Sequence, residues 1–87
     1  MRVIYKYTLD ITDKQFIEVH KEAGTECQIL YVGLDPNGVP CLWMELTKGT
    51  YVEKHEILIL GTGMRVPGTA HHLGSFVQGQ FVWHVYR

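Results

Sequence analysis

The segment Asp35-Pro36-Asn37-Gly38 lies between two apolar, β-prone runs, ECQILYVGL (26–34) and VPCLWMELT (39–47), and therefore dictates an antiparallel hairpin. Pro36 pre-sets φ for the first central position of a type I turn, and Gly38 takes the left-handed position that closes a short hairpin loop. If Asp35 pairs with Val39, counting inward sets Gly33 opposite Cys41, Tyr31 opposite Trp43 and Leu30 opposite Met44. One face then carries Leu30, Val32, Leu34, Leu42, Met44 and Leu46, an aliphatic core layer. The other carries Ile29, Tyr31, Cys41, Trp43 and Glu45, which suits a second core layer, a pocket wall or an oligomer contact.

The remaining segments extend this pattern. Residues 3–9 (VIYKYTL) alternate with period two, placing Val3, Tyr5, Tyr7 and Leu9 on one side. After a turn at Ile11-Thr12-Asp13, residues 14–23 fit two readings. Phe16, Ile17, His20 and Ala23 would form a helical stripe with Thr12 or Asp13 as N-cap and Gly24 as stop, whereas Phe16-Ile17-Glu18-Val19 fits a short strand, the reading preferred here. Residues 51–60 end in the continuous apolar run Ile57-Leu58-Ile59-Leu60, expected of a strand covered on both faces. A terminal hairpin with its two-residue turn at Gln78-Gly79 would set Phe76 opposite Phe81 and Gly74 opposite Trp83. Phe76, Phe81, Trp83 and Val85 would then face the core, with Ser75, Val77, Val82, His84 and Tyr86 outward. An outward face that apolar implies subunit contact. The expected fold is mainly β: one domain, 1–87, a compact antiparallel sheet, barrel-like or sandwiched, of about six or seven strands. A short helix at 13–23 is the alternative and would make it α+β.

Composition limits the partners. Eight Lys and Arg against nine Asp and Glu give a formal charge of -1, and the cations are scattered, so no footprint for duplex DNA is visible. No segment approaches the roughly 18–20 apolar residues of a membrane-spanning helix, and the first residues lack a signal-peptide core, which points to the cytoplasm. Cys27 and Cys41 have no CxxC spacing and read as reduced, buried thiols.

The most suggestive chemistry lies in Gly61-Thr62-Gly63 followed by Met64-Arg65-Val66-Pro67-Gly68. Glycines let backbone N–H groups approach an anion, Thr62 supplies a hydroxyl, and Arg65 offers a planar fork to a phosphate. The segment lacks both the G-x-G-x-x-G and the P-loop patterns, so a plain strand connection is the competing reading. His71 or His72 could hydrogen-bond a phosphate or base at the loop mouth, and Trp43 could stack on a flat ligand. Adjacent histidines point to opposite faces of a strand, and His20, His55, His84, Cys27 and Cys41 show no ligand spacing, so neither a metal site nor a cofactor is assigned. Ser75 or Cys41 with a histidine lacks a nucleophile motif, and Glu53 and Glu56, three apart on a strand, diverge; a non-enzymatic protein is expected.

The motifs Ile4-Tyr5-Lys6-Tyr7-x-Leu9-x-Ile11-Thr12-Asp13-x-Gln15, Pro40-Cys41-Leu42-Trp43, Gly61-Thr62-Gly63 and Val82-Trp83-His84-Val85 span nearly the whole chain. In them the sequence resembles a family of short, uncharacterised bacteriophage and prophage proteins. Family members tend to carry a proline where this chain has Val19 or His20, which implies a strand over 15–20, although the proline itself is missing here. The resemblance implies a phage origin, residence in the host bacterial cytoplasm and an anti-defence role. In the first form of that role, a homo-oligomer sequesters a small anionic cyclic nucleotide signal in an intersubunit pocket made by Gly61, Thr62, Gly63, Arg65, His71 or His72, and Trp43. In the second, the protein blocks a bacterial defence complex directly, as CRISPR inhibitors do, or serves as a phage structural adaptor.

Overall fold

A computed structural model describes residues 1–87. Seven strands form it: β1 Arg2–Thr8, β2 Lys14–Lys21, β3 Gln28–Leu34, β4 Pro40–Thr47, β5 Tyr51–Gly61, β6 His72–Gln78 and β7 Phe81–Tyr86. They make a three-stranded sheet, β1-β4-β3, and a four-stranded sheet, β2-β5-β7-β6, all pairs antiparallel. The two sheets stack as a sandwich; neither closes into a barrel. There is no helix, and none is therefore long and apolar enough to cross a membrane.

Alternation along each strand builds the core. Leu42, Met44 and Leu46 of β4 face Ile17 and Val19 of β2, Ile57 and Ile59 of β5, and Phe76 and Val85 of the last hairpin, with Leu9 and Val32 completing the cluster. Residues 14–21 are strand, as preferred from sequence, because pairing with β5 buries Ile17 and Val19 on one face and leaves Phe16, Glu18 and His20 in solvent. The helical stripe would have needed Phe16 and His20 in the core.

The first hairpin forms at the expected turn. Asp35 N–H donates to Val39 O at 2.8 Å, Gly38 has φ +78°, and Gly33 faces Cys41 and Tyr31 faces Trp43. Beyond Tyr31 the register departs from expectation. Leu30 is the extra residue of a β-bulge, so Ile29, not Leu30, opposes Met44 and packs on the core, while Leu30 is 44% exposed. A bulge shifts every later residue to the other face, which no count from the turn can anticipate.

Asp35 holds the turn together. Its Oδ1 accepts N–H bonds from Asn37 (2.8 Å) and Val39 (2.9 Å), and Lys6 Nζ donates to Oδ2 at 3.1 Å, tying the hairpin to β1. The Val39 N–H bond, then Lys6, hold its carboxyl below the usual carboxylate range. A carboxyl whose folded pKa is depressed contributes stability in full above the unfolded value, about 3.9, and loses it as pH falls through the folded value. Wild-type urea midpoints should therefore be level from pH 7 to about 5 and drop below pH 4. Asp35→Asn should start lower at pH 7 and show a shallower acid drop; parallel curves would remove Asp35 from the acid response.

The second hairpin corrects the expected register by two residues. Its turn is Gly79-Gln80, with Gly79 at φ +59° and Gln80 at negative φ, as a type II′ connection requires. Phe76 thus faces Trp83, not Phe81, and Gly74 faces Val85, not Trp83. A shift of two preserves faces but moves Phe81 to the hairpin tip, where it is 64% exposed instead of core-facing. The absent side chain of Gly74 makes room for Val32 of the other sheet, since a Cβ there would lie 3.0 Å from Val32 Cβ.

Candidate functional site

The loop singled out from sequence is a crossover. Strands β5 and β6 both run antiparallel to β7, which lies between them, so residues 62–71 must carry the chain back along the sheet. On the inner face of β7, Val85 belongs to the core and Trp83 is partly buried against it. The crossover starts with a tight turn, Met64 N–H to Gly61 O at 3.1 Å, with Gly63 at φ +91°. It ends where His71 and Arg87 exchange two backbone hydrogen bonds of 2.7 and 3.0 Å.

Two features meet at this turn. The first is a crevice of about 330 Å³ lined by Gly61, Thr62, Met64, Gln80, Phe81, Val82 and Trp83. The Phe81 and Trp83 rings stack at 5.8 Å between centroids and 25° between planes, and the buried Trp83 indole N–H has no acceptor. Gly61 lets the ring approach closely: a Cβ there would fall 3.3 Å from the Trp83 ring, tighter than ordinary contact.

The second is a line of hydrogen-bonded side chains across the outer face of the four-stranded sheet. Thr62 Oγ1 lies 3.3 Å from His84 Nε2, His84 Nδ1 lies 2.9 Å from Ser75 Oγ, and Ser75 Oγ lies 3.0 Å from His72 Nε2. The His72 ring meets the edge of Tyr86 at 5.2 Å. Sequence reading missed this line for one reason. The register expected from a Gln78-Gly79 turn sets Ser75 against Val82, whereas the true register sets it against His84. Ser75 between two imidazoles has the components of an acyl-transfer pair, but the line ends at a threonine where an orienting carboxylate would stand. It offers hydroxyls and ring nitrogens to an incoming oxyanion.

The structure thus joins Gly61, Thr62 and His72 in one neighbourhood. Gly63 and Arg65 lie on the same crossover, exposed, and Arg65 takes part in none of the five ion pairs. His71 is exposed at the far end of the crossover. Trp43 is elsewhere: it faces outward from the three-stranded sheet, half-buried against Tyr31 at 5.5 Å, on the opposite side of the sandwich. Within one chain it cannot join the Thr62 site.

A different grouping, unassigned from sequence, lies where the sandwich interior turns polar. Glu53 and His55, two apart on β5, share its inward face, and Cys27 approaches them from just before β3. The Cys27 Sγ and one ligand atom each from Glu53 and His55 lie within 4.8 Å of one another. His55 Nε2 is 2.7 Å from Glu53 Oε1, while the other carboxylate oxygen faces the Lys21 ammonium at 3.6 Å. Lys21 is only 4% exposed and also donates to Thr25 O. The hydrogen bond from His55 holds the Glu53 carboxyl below its ordinary range, and burial pushes the Cys27 thiol up despite nearby Lys21. These residues, with Thr25, Glu26 and Arg87, line a second cavity of about 330 Å³. The pairing of Cys27 with residues 26 and 28 positions downstream, across two sheets, leaves no local spacing to read.

No curated protein and no solved structure matches this chain. One family model does match, over residues 1–87, that of a domain of unknown function, DUF7352, and the chain belongs to that family.

Proposed function

We propose that the protein is a non-enzymatic binder of a small anionic ligand carrying a flat ring, of the cyclic nucleotide class. The observation that carries this reading is the meeting, at Thr62, of the stacked Phe81–Trp83 crevice with the Thr62–His84–Ser75–His72 line. Aromatic faces accept a nucleobase with about 1–3 kcal/mol per stacked base, and hydroxyls with imidazoles beside an unpaired Arg65 suit its phosphate. The protein acts as a homo-oligomer, for which the exposed outer faces provide the apolar surface, and Trp43 reaches the Thr62 site only from a second copy. Together with the resemblance to phage proteins, this makes sequestration of an immune signal in the host bacterial cytoplasm the proposed role.

Calorimetric titration with a panel of cyclic di- and trinucleotides tests it. Stoichiometric binding is expected, weakened at least tenfold by Arg65→Ala and by His84→Ala, with sedimentation at low micromolar concentration reporting a dimer or larger. Silence across the panel, or affinity indifferent to both substitutions, would overturn the reading. A second reading is favoured by Ile4 and Tyr31, 59% and 60% exposed around Trp43 on the outer face of the three-stranded sheet. On that reading the protein docks this face on a bacterial defence protein or a phage structural partner.

A further inference from the structure

We infer that Cys27, Glu53 and His55 form a binding site for a zinc ion, with its fourth coordination position open to water or an exogenous ligand. The three donors are the thiolate, imidazole and carboxylate that zinc takes, from three residues, as in open zinc sites. Tetrahedral coordination at ordinary bond lengths sets such donors about 3.3–3.6 Å apart. Here they lie within 4.8 Å of one another, and His55 Nε2 and Glu53 Oε1 are 2.7 Å apart. Side-chain rotations of about 1 Å therefore suffice: the histidine–carboxylate pair opens, and the thiol closes on the space between. Zinc displaces the proton of the Cys27 thiol to solvent, and His55 coordinates as a neutral imidazole with its remaining proton on the other ring nitrogen.

The surroundings support the ion. Lys21 engages the carboxylate oxygen that His55 leaves free, which orients Glu53 as outer-shell partners of metal ligands do. The thiolate and carboxylate together cancel the two charges of zinc, so the ion and its ligands form a net-neutral set beside the buried Lys21 ammonium. The adjoining cavity of about 330 Å³ leaves the fourth position accessible. Because Cys27 leads into the three-stranded sheet and the other two ligands sit on the four-stranded one, the ion clasps the two sheets together and binds the folded chain only.

Cobalt(II) as a spectroscopic probe, displaced by zinc, tests the site in the full chain. One equivalent should bind with a thiolate-to-metal charge-transfer band. That band should vanish in Cys27→Ser and survive in His20→Gln, which alters an exposed histidine on the outer face of β2, while His55→Gln should bind cobalt at least tenfold more weakly. No charge-transfer band, or one that persists in Cys27→Ser, would overturn the assignment. Since either variant could fold poorly, the wild type supplies a second measurement. Zinc should slow alkylation of Cys27 by iodoacetamide at least tenfold, read by mass spectrometry; an unchanged rate overturns the site. Neither readout depends on the anion-binding face, so the two proposals fail independently.

Discussion

Gly49→Ala is expected to be the most damaging single methyl group that can be added to this protein. Gly49 sits in the turn between β4 and β5, beside the corner where the two sheets touch: Lys21 bridges Lys48, and Glu22 N–H donates to Thr47 O at 2.8 Å. A Cβ on Gly49 would lie 2.5 Å from both Glu22 Cα and the Lys21 carbonyl carbon. These are backbone atoms and have no rotamer to escape into, so the turn or the corner itself must move. The cost should exceed the roughly 1–3 kcal/mol typical of overpacking, against a total stability of about 4–13 kcal/mol for a domain of this size. Gly68→Ala is the control, since nothing lies within 4 Å of a Cβ there and its φ is not positive. Urea denaturation should place Gly49→Ala far below wild type and Gly68→Ala close to it. Equal midpoints would mean that the corner yields without cost.

Leu42→Ala should come next. Leu42 is fully buried at the centre of β4, the middle strand of its sheet, between Tyr7 and Val32 as strand neighbours and facing the residues of the other sheet. Removing its branched end takes apolar surface from the core and leaves a cavity that a sandwich clamped by two hydrogen-bonded sheets cannot collapse into; about 2–5 kcal/mol is expected. The same truncation at Leu30, whose side chain the bulge turns away, should cost under about 1 kcal/mol. Thermal or urea unfolding of the two variants side by side checks the bulge as much as the core. If Leu30→Ala were as harmful as Leu42→Ala, Leu30 and not Ile29 would be the residue packed over Met44.

The bulge at Leu30 lies beyond what the sequence makes legible. Strand identity was legible because alternation and turn chemistry are local: Asp35 to Gly38 announced their turn, and the pattern of 3–9 and 51–60 needed no knowledge of partners. Register was legible only as far as the ladder stayed regular. The bulge at Leu30 and the choice of Gly79 as first turn residue each depend on how the strands twist against the opposite sheet. The site suffered accordingly. Thr62 and His72 were named from sequence, but His84 and Ser75, which connect them, follow from a register two residues away from the expected one. Phe81 was assigned to the core, although it forms the crevice wall. Cys27, Glu53 and His55 come together only through sheet stacking, and Trp43 was grouped with a loop on the far side of the molecule.

The position of β7 has a consequence for synthesis. It is the last of the seven strands to leave the ribosome, yet it lies inside its sheet, hydrogen-bonded to β5 on one side and β6 on the other. Until it arrives, β5 has a bare inner edge, β6 has no partner, and Ile57, Ile59 and Phe76 lack the neighbour that Val85 provides. The nascent domain therefore holds an open, apolar, strand-ready surface until residues 81–86 emerge, and the four-stranded sheet is completed only then. For a protein so assembled, translational pausing near the final strand is a period of exposure to aggregation and to chaperones, and even a short lesion at residues 81–86 acts on the whole fold.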